Sequence, residues 1–274
     1  MLKGMIVKNI SDTYTVKVDS FVYDCKARGK FRNTGLTPLV GDWVEIDEEN
    51  SYILSIEERK NELDRPSISN VDVALIICSV KKPDLSLYLL DKLLTSITLK
   101  KIEPVICFTK IDLMSKNEQK ELKKIRKYYQ KLGYPVFTNQ KVKKLIRYLK
   151  EKTVVLTGQT GAGKSSLLNQ IDPKLHLQTG EISEALGRGR HTTRHTEFFF
   201  THGILIADTP GFSALDLDKY EKEQIRNTFP EFTSISCEYK NCMHLKEKNC
   251  VVKKRVEEGI ILKSRYENYC QFVK

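Results

Sequence analysis

The chain of 274 residues is long enough for two domains of ordinary size, or for three if some are small. Hydrophobic residues make up 40% of the sequence and charged residues 30%, with 8 prolines and 14 glycines, which excludes a collagen-like or wholly disordered chain. The longest apolar run covers only residues 73–78, far below the roughly 18 residues of a membrane-spanning helix, and the first residues contain no signal-peptide core. The sequence therefore predicts a soluble cytoplasmic protein.

The formal net charge is +11, and its location is informative. Residues 1–62 carry −2, residues 63–215 carry +11 and residues 216–274 carry +2. Within residues 113–152, thirteen lysines and arginines accompany three glutamates, a density that attracts a polyanion such as RNA. A pair of ordinary solvated helices would have the same composition, so both interpretations stay open.

The first 60 residues contain short runs of β-type sequence separated by turn-rich segments. Five strands are predicted: Lys3–Asn9, Thr13–Val18, Phe21–Arg28, Trp43–Asp47 and Tyr52–Glu57. So many strands in so short a segment indicate an OB-type β-barrel over residues 1–62.

Basic residues alternate around the end of the third predicted strand. If residues 25–32 are extended, four basic side chains share one face, namely those of Lys26, Arg28, Lys30 and Arg32. With Phe31 nearby, such a face can hold an RNA backbone. An edge strand protected by lysines would show the same pattern.

Over residues 63–215, apolar strands alternate with longer helices, which is typical of a mainly parallel sheet. The predicted strands are Val71–Ser79, Pro104–Thr109, Pro135–Thr138, Thr153–Thr157, Glu197–Thr201 and Ile204–Ala207. The predicted helices are Leu85–Leu99, Asn117–Leu132, Val142–Lys150 and Gly163–Gln170. Residues 216–274 are predicted to form a third, C-terminal module.

The strand at 153–157 leads into a G-x-x-x-x-G-K-S sequence, the P-loop that binds nucleotide phosphates. Glycines let backbone N–H groups surround phosphate oxygens, Lys164 reaches the β- and γ-phosphates, and the Ser165 hydroxyl is a ligand for Mg²⁺. The predicted nucleotide contacts in this segment are Gly158, Gln159, Thr160, Gly161, Ala162, Gly163, Lys164, Ser165 and Ser166.

Two further motifs follow apolar strands. Asp208, in the sequence D-T-P-G, is predicted to lie on the metal side of the phosphates, and Gly211 to sense the γ-phosphate through its backbone amide. The sequence T-K-I-D at 109–112 is typical of guanine recognition. Its Asp112 can accept the N1–H and the exocyclic amino group of the base, the Lys110 side chain packs on the ring, and Thr109 completes the motif.

Four metal-binding side chains lie within fourteen residues: Cys237, Cys242, His244 and Cys250. Three thiolates and one imidazole complete a tetrahedral Zn²⁺ site, and the lack of an open position predicts a structural ion. This segment contains few large apolar side chains, so metal binding is expected to supply folding energy. Unligated cysteines beside a surface histidine are the alternative.

The order of these motifs is unusual, because the guanine motif precedes the P-loop. In this respect the sequence resembles the circularly permuted GTPases of the RsgA (YjeQ) family, which assist late maturation of the bacterial small ribosomal subunit. The resemblance covers nearly the whole chain and implies an N-terminal OB barrel, a permuted P-loop GTPase domain and a C-terminal zinc module. It also implies that residues 187–193 are switch I, in which Thr192 or Thr193 closes on Mg²⁺ and the γ-phosphate.

Three features depart from the pattern of GTPases. The fifth guanine motif of the family, Ser-Ala, is replaced by Thr138-Asn139-Gln140, so residue identity does not assign the contact to the guanine oxygen. Thr109 replaces the commoner asparagine and is expected to loosen the bracing between loops. Phe212 stands where many GTPases have the glutamine that orients water, so the missing group is expected to come from switch I or from the ribosome. Within the chain, His191 is the candidate for that role.

The sequence thus predicts a monomeric GTPase that binds the 30S subunit and its rRNA, couples GTP hydrolysis to late subunit maturation, and releases an assembly factor. The expected ligands are GTP or GDP, Mg²⁺ and one Zn²⁺, with no membrane partner. Two alternatives remain: an RNA-binding protein that is regulated by GTP without significant turnover, and a P-loop ATPase or kinase.

Overall fold

The structure is a computed structural model that describes residues 1–29, 31, 35–64, 67–177, 196–207 and 216–274. The N-terminal strands form the predicted OB-type barrel: β1 (Leu2–Ile10), β2 (Thr13–Val18), β3 (Phe21–Ala27), β4 (Trp43–Asp47) and β5 (Tyr52–Ile56). Strand β1 pairs with both β2 and β4, and β5 pairs with both β3 and β4, which closes the barrel. Alternate apolar side chains fill its interior, among them fully buried Ile6, Val16 and Ile46.

Within the described part of residues 25–32, the chain is not extended over its whole length as predicted. Strand β3 ends at Ala27, and the backbone N–H of Phe31 donates to the carbonyl of Arg28 at 3.1 Å. The Phe31 side chain is only 7% exposed within the barrel core, because burying a phenylalanine ring stabilises the fold by about 1.5–3 kcal/mol. Phe31 is therefore not available to stack on a base, while Lys30 and Arg32 lie outside the described residues.

A short hairpin follows the barrel, formed by β6 (Glu62–Asp64) and β7 (Ser67–Ser69), and the sequence did not predict it. The fully buried carboxylate of Asp42 joins it to the barrel, since it accepts hydrogen bonds from Arg59 at 2.8 Å and from the Ser69 hydroxyl at 2.6 Å. This contact connects residues far apart in the sequence, which explains why local patterns do not reveal it.

The predicted parallel sheet is confirmed. Its strands are β8 (Val73–Ser79), β9 (Glu103–Thr109), β10 (Val136–Thr138), β11 (Thr153–Thr157), β12 (Thr196–Thr201) and β13 (Ile204–Ala207). They are arranged in the order β10-β9-β8-β11-β13-β12, and only β12 runs antiparallel to its neighbour β13. Strand β12 also pairs with β1, so the sheet continues into the barrel.

The helices are α1 (Leu87–Leu99), α2 (Lys116–Lys131), α3 (Val142–Leu149), α4 (Lys164–Ile171), α5 (Lys222–Asn227), α6 (Pro230–Thr233), α7 (Val251–Glu257) and α8 (Lys263–Phe272). Helices α1 and α2 contribute to one hydrophobic cluster, whereas α3 and α4 contribute to the cluster on the other face of the sheet. No helix in the described ranges has both the length and the apolar character needed to cross a bilayer.

A buried arginine joins the C-terminal helix to the helices of the sheet. The guanidinium of Arg265 in α8 contacts Asp91 of α1 at 2.7 Å and Glu231 of α6 at 2.8 Å. The Tyr129 hydroxyl of α2 donates to the same Asp91 carboxylate at 2.6 Å, and the ring of Phe229 lies 4.3 Å from the guanidinium carbon. All three charged side chains are almost completely buried, so the attraction between them must offset the free-energy cost of removing their charges from water.

Replacement of this arginine should destabilise the protein strongly. We expect Arg265→Met to lower the free energy of unfolding by about 3–5 kcal/mol, because Asp91 and Glu231 lose their cation while they remain buried. Urea unfolding followed by circular dichroism measures this loss. Lys263→Met, on the exposed side of the same helix, is the matched control and should change stability by less than about 0.5 kcal/mol. A similar small change for Arg265→Met would show that the network contributes nothing.

Candidate functional site

The P-loop connects β11 to α4, and its backbone requires glycine at two points. A Cβ on Gly158 would lie 2.2 Å from the carbonyl oxygen of Ile77, so this loop packs directly on β8. Gly163 has a φ of +92° and immediately precedes the first turn of α4. The loop therefore ends at a helix N-terminus, where backbone N–H groups and the helix dipole favour an anion.

The side chains predicted to bind phosphate and Mg²⁺, those of Lys164 and Ser165, belong to the first two residues of α4. The ammonium group of Lys164 donates to the carbonyls of Gly158 at 2.9 Å and Gln159 at 3.0 Å, which holds the lysine over the loop. Its partial burial lowers the pKa of Lys164 from the usual value. Ser165 is buried at the first turn of the helix, whereas Ser166, the next residue, is exposed. Of the remaining loop residues, Ala162 is buried and Gln159, Thr160 and Gly161 are exposed.

The guanine motif lies against the P-loop although about 50 residues separate them in the chain. The Thr109 hydroxyl donates to the Ala162 carbonyl at 2.6 Å, and the Lys110 ammonium donates to the Gly161 carbonyl at 2.7 Å. Lys110 also donates to the carbonyl of Lys82, a contact that no motif indicated. The loops are therefore braced in this structure, in part by the Thr109 hydroxyl itself, and the expected loosening relative to asparagine stays a prediction.

Asp112 lies in a short 3₁₀ turn at Ile111–Leu113, directly after Lys110, whose φ is +59°. The Asp112 side chain is exposed. The turn follows the carboxyl end of β9, which is the edge of a parallel sheet where ligands bind. An exposed carboxylate at this edge can accept two hydrogen bonds from a base.

The segment that replaces the fifth guanine motif lies beside the guanine motif of residues 109–112. Thr138 ends β10 opposite Phe108 of β9, so Asn139 and Gln140 emerge next to the start of the guanine motif. The side-chain oxygen Oδ1 of Asn139 is buried and has no hydrogen-bond partner among the described residues. The residue types of this segment did not assign a nucleotide contact to Asn139. A buried polar atom without a partner is the structural signal that makes this residue a candidate.

Five of the predicted site residues lie outside the described residues: His191, Thr192, Thr193, Asp208 and Gly211. Strand β13 ends at Ala207, directly before Asp208 in the sequence, and pairs in parallel with β11, the strand that leads into the P-loop.

The structure brings the four predicted metal ligands together. Their ligand atoms all lie within 4.8 Å of one another. The Sγ atom of Cys250 is 3.8 Å from that of Cys242, 4.0 Å from that of Cys237 and 3.3 Å from Nδ1 of His244. With Zn–S bonds of about 2.3 Å, a tetrahedral site has S–S edges of about 3.8 Å, so the donor set and its spacing fit Zn²⁺.

Helix α8 supports the loop that carries these ligands. The Tyr266 hydroxyl donates to the His244 carbonyl at 2.7 Å, and the Tyr269 hydroxyl donates to the Met243 carbonyl at 2.6 Å.

The module also has an aromatic core, in which Phe229 and Phe232 stack with centroids 5.0 Å apart. The expectation of a segment poor in large apolar side chains is therefore wrong, because the aromatic residues are dispersed in the sequence and meet only in the fold.

Known proteins resemble this chain along its whole length. The family model for the RsgA GTPase matches residues 56–218, and the model for the RsgA N-terminal domain matches residues 3–53. A relative from Enterococcus faecalis, named small ribosomal subunit biogenesis GTPase RsgA, is 47% identical over 280 residues, which cover 99% of this chain and 94% of that protein.

Two solved structures share the fold. The crystal structure of YloQ, described as a circularly permuted GTPase, is 37% identical with a TM-score of 0.85 and covers 100% of this chain and 94% of its own. YjeQ from Thermotoga maritima is 34% identical with a TM-score of 0.86, and the match covers 99% of this chain and 97% of that protein. These matches confirm a GTP hydrolase rather than an ATPase or kinase. The order of the motifs, the bracing of the guanine motif against the P-loop and the similarity over the full length all agree, and the chain belongs to the RsgA GTPase family.

Proposed function

We propose that this chain is a GTPase that binds the small ribosomal subunit and couples GTP hydrolysis to its late maturation. The observation that carries the proposal is the direct bracing of the guanine motif against the P-loop, through Thr109 to Ala162 and Lys110 to Gly161. This bracing places the two motifs side by side, as a guanine-nucleotide site requires. The chain is also 47% identical to a relative named for small-subunit biogenesis.

Within this site, Lys164 would neutralise charge on the β- and γ-phosphates, and Ser165 would supply a hydroxyl ligand to Mg²⁺. Asp208 would lie on the metal side and Gly211 would contact the γ-phosphate. Asp112 would accept hydrogen bonds from guanine, while the backbone N–H of Asn139 is our candidate donor to the guanine oxygen. When bound, Mg²⁺ supplies the positive charge that offsets negative charge on the transferred phosphoryl group.

The attacking water needs a group to orient it, and Phe212 is apolar. We assign this role to His191, which precedes the two threonines of the proposed switch I in the sequence. Without subunits the turnover should be slow, about 10⁻⁴ to 10⁻² s⁻¹, as in GTPases that lack an assisting group. Contact with the subunit would then order the site and raise the rate.

The C-terminal ligands would hold one structural Zn²⁺ through Cys237, Cys242, His244 and Cys250, and this module would follow the γ-phosphate sensor in the chain. Because Asp208 and Gly211 lie just before residue 216, nucleotide-dependent ordering of the sensor can reposition the module relative to the barrel. Such a movement is our proposed means of releasing an assembly factor from the subunit. We place this activity in the cytoplasm, in a monomeric protein.

Measurement of GTP turnover against added 30S subunits, with naked rRNA as the comparison, tests the proposal. We expect subunits to stimulate the wild-type rate and His191→Ala to remove most of that stimulation while GTP-dependent binding to subunits persists. His202→Ala is a matched control, because this histidine lies in the β12–β13 turn. Near-normal stimulated turnover in His191→Ala would exclude a catalytic role for His191, and a wild-type rate that is indifferent to subunits would refute the coupling.

A further inference from the structure

Helix α2 presents a continuous line of lysines to solvent. Its exposed basic residues are Lys116, Lys120, Lys123, Lys124, Lys127 and Lys131. Residues three or four apart lie on one face of a helix, so these side chains form a stripe about 22 Å long. The opposite face packs into the core through Leu122 and Tyr129. The stripe is thus separate from the part of α2 that stabilises the fold.

This stripe is electrostatically unfavourable by itself. Lysines four residues apart repel one another, and each such pair destabilises a helix by about 0.2–0.5 kcal/mol. Two glutamates of α2 do little to offset this. Glu121 forms an ion pair with Lys124 at 2.8 Å, and Glu118 pairs with Lys81 at 2.5 Å while it caps the helix. A solvated helix without a ligand ordinarily alternates its charges, so the stripe is better explained by an anionic partner.

Helix α3 carries a second basic stripe. Its exposed basic residues are Lys143, Lys144 and Arg147, flanked by Lys141 and Lys150, whereas Leu145 and Leu149 are buried against the sheet. Helices α2 and α3 lie on opposite faces of the sheet, and both contact β10, the edge strand of its parallel part. We call the exposed lysines and arginines of these two helices the basic edge. The basic edge therefore surrounds the edge of the sheet that β10 forms.

We propose that the basic edge binds the phosphate backbone of folded rRNA in the small subunit. Lysines at every turn of a helix neutralise successive phosphates and release condensed counterions, which favours a polyanion over a protein with scattered acidic groups. Because the two stripes lie on opposite faces of the sheet, they cannot both rest on a flat lipid surface, whereas a folded RNA can contact both. This inference rests on the proposed ribosomal function and assigns a contact surface to it.

The test compares triple variants of the full-length protein. The first is Lys120→Gln, Lys123→Gln and Lys127→Gln in the stripe of α2. The matched control is Lys222→Gln, Lys254→Gln and Lys263→Gln, which removes the same charge from exposed sites on α5, α7 and α8. Binding to 30S subunits and to naked small-subunit rRNA is measured at several KCl concentrations.

We expect the stripe variant to reduce the slope of log K against log[salt] by about 2–3 and to weaken binding about 100-fold at 0.1 M salt, since each phosphate contact contributes 0.7–0.9 to the slope. The control should keep the wild-type slope. A third variant with Lys→Arg at the same three stripe positions should restore binding, because it keeps the charge. Intrinsic GTP turnover should be equal in all variants, which verifies that they are folded.

Equal slopes for the stripe variant and the wild type would overturn the proposal. Retained RNA binding together with lost binding to phosphatidylserine vesicles would also overturn it and assign the surface to a membrane. If the wild type binds naked rRNA through the stripe but fails to bind 30S subunits, the proposed ribosomal function fails while the RNA-binding surface stands.

Discussion

Asp112→Asn should change the preferred nucleotide from GTP to xanthosine triphosphate. The Asp112 carboxylate can accept two hydrogen bonds from guanine, and an amide in its place presents a donor to the donors of the base. Xanthine has a carbonyl where guanine has the amino group, so it can accept that new hydrogen bond. Because a bound base covers the groups that it pairs with, a mismatched base leaves them without hydrogen bonds, and we expect the ratio of kcat/KM for the two nucleotides to change by about 10⁴.

Steady-state turnover with both nucleotides, in the presence of 30S subunits, measures this ratio. Asp84→Asn is a suitable control, since Asp84 is also exposed and lies in the loop next to Lys82, whose carbonyl contacts Lys110. The control should keep the preference for GTP. If Asp112→Asn also keeps it, Asp112 does not read the base, and the assignment of the guanine motif is wrong.

Removal of zinc should unfold the C-terminal module. We expect about one Zn²⁺ per chain in the purified protein, and binding of a structural Zn²⁺ contributes about 10–16 kcal/mol to the folding of small zinc domains. Cys242→Ser or a chelator should therefore lower the melting temperature of this module. GTP binding should be largely retained, because the ligands Cys242 and Cys250 belong to a hydrophobic cluster separate from the one that contains Ala162 of the P-loop.

Metal analysis together with calorimetry and nucleotide binding provides the measurement. Cys270→Ser is the matched control, since this half-buried cysteine lies in α8 outside the ligand cluster, and it should leave the zinc content unchanged. Purified wild-type protein without zinc would refute the site. Loss of GTP binding in Cys242→Ser would show that unfolding spreads through Arg265 and Asp91 to α1.

Local sequence determined the elements of the fold and the chemistry of the site. Strand β11 has the predicted bounds, and α2 begins and ends within one residue of its prediction, because periodic burial and capping residues act over short stretches of chain. The P-loop, the guanine motif and the cysteine cluster could also be recognised from the sequence, since phosphate, base and metal each require particular residue types at fixed spacing. The domain boundaries at residues 62 and 215 stay predictions.

Tertiary structure decided the contacts between distant residues. The hydrogen bond from Thr109 to Ala162 and the network of Arg265, Asp91 and Glu231 depend on side chains from separate elements that meet only in the folded chain. The burial of Phe31 overrode an alternating basic pattern, because the free energy of removing an aromatic ring from water exceeds the weak preference of one short segment for an extended conformation. Lysines of α2 and α3 were visible as a dense charge in the sequence, but only the packing of these helices on opposite faces of the sheet arranges them around one edge.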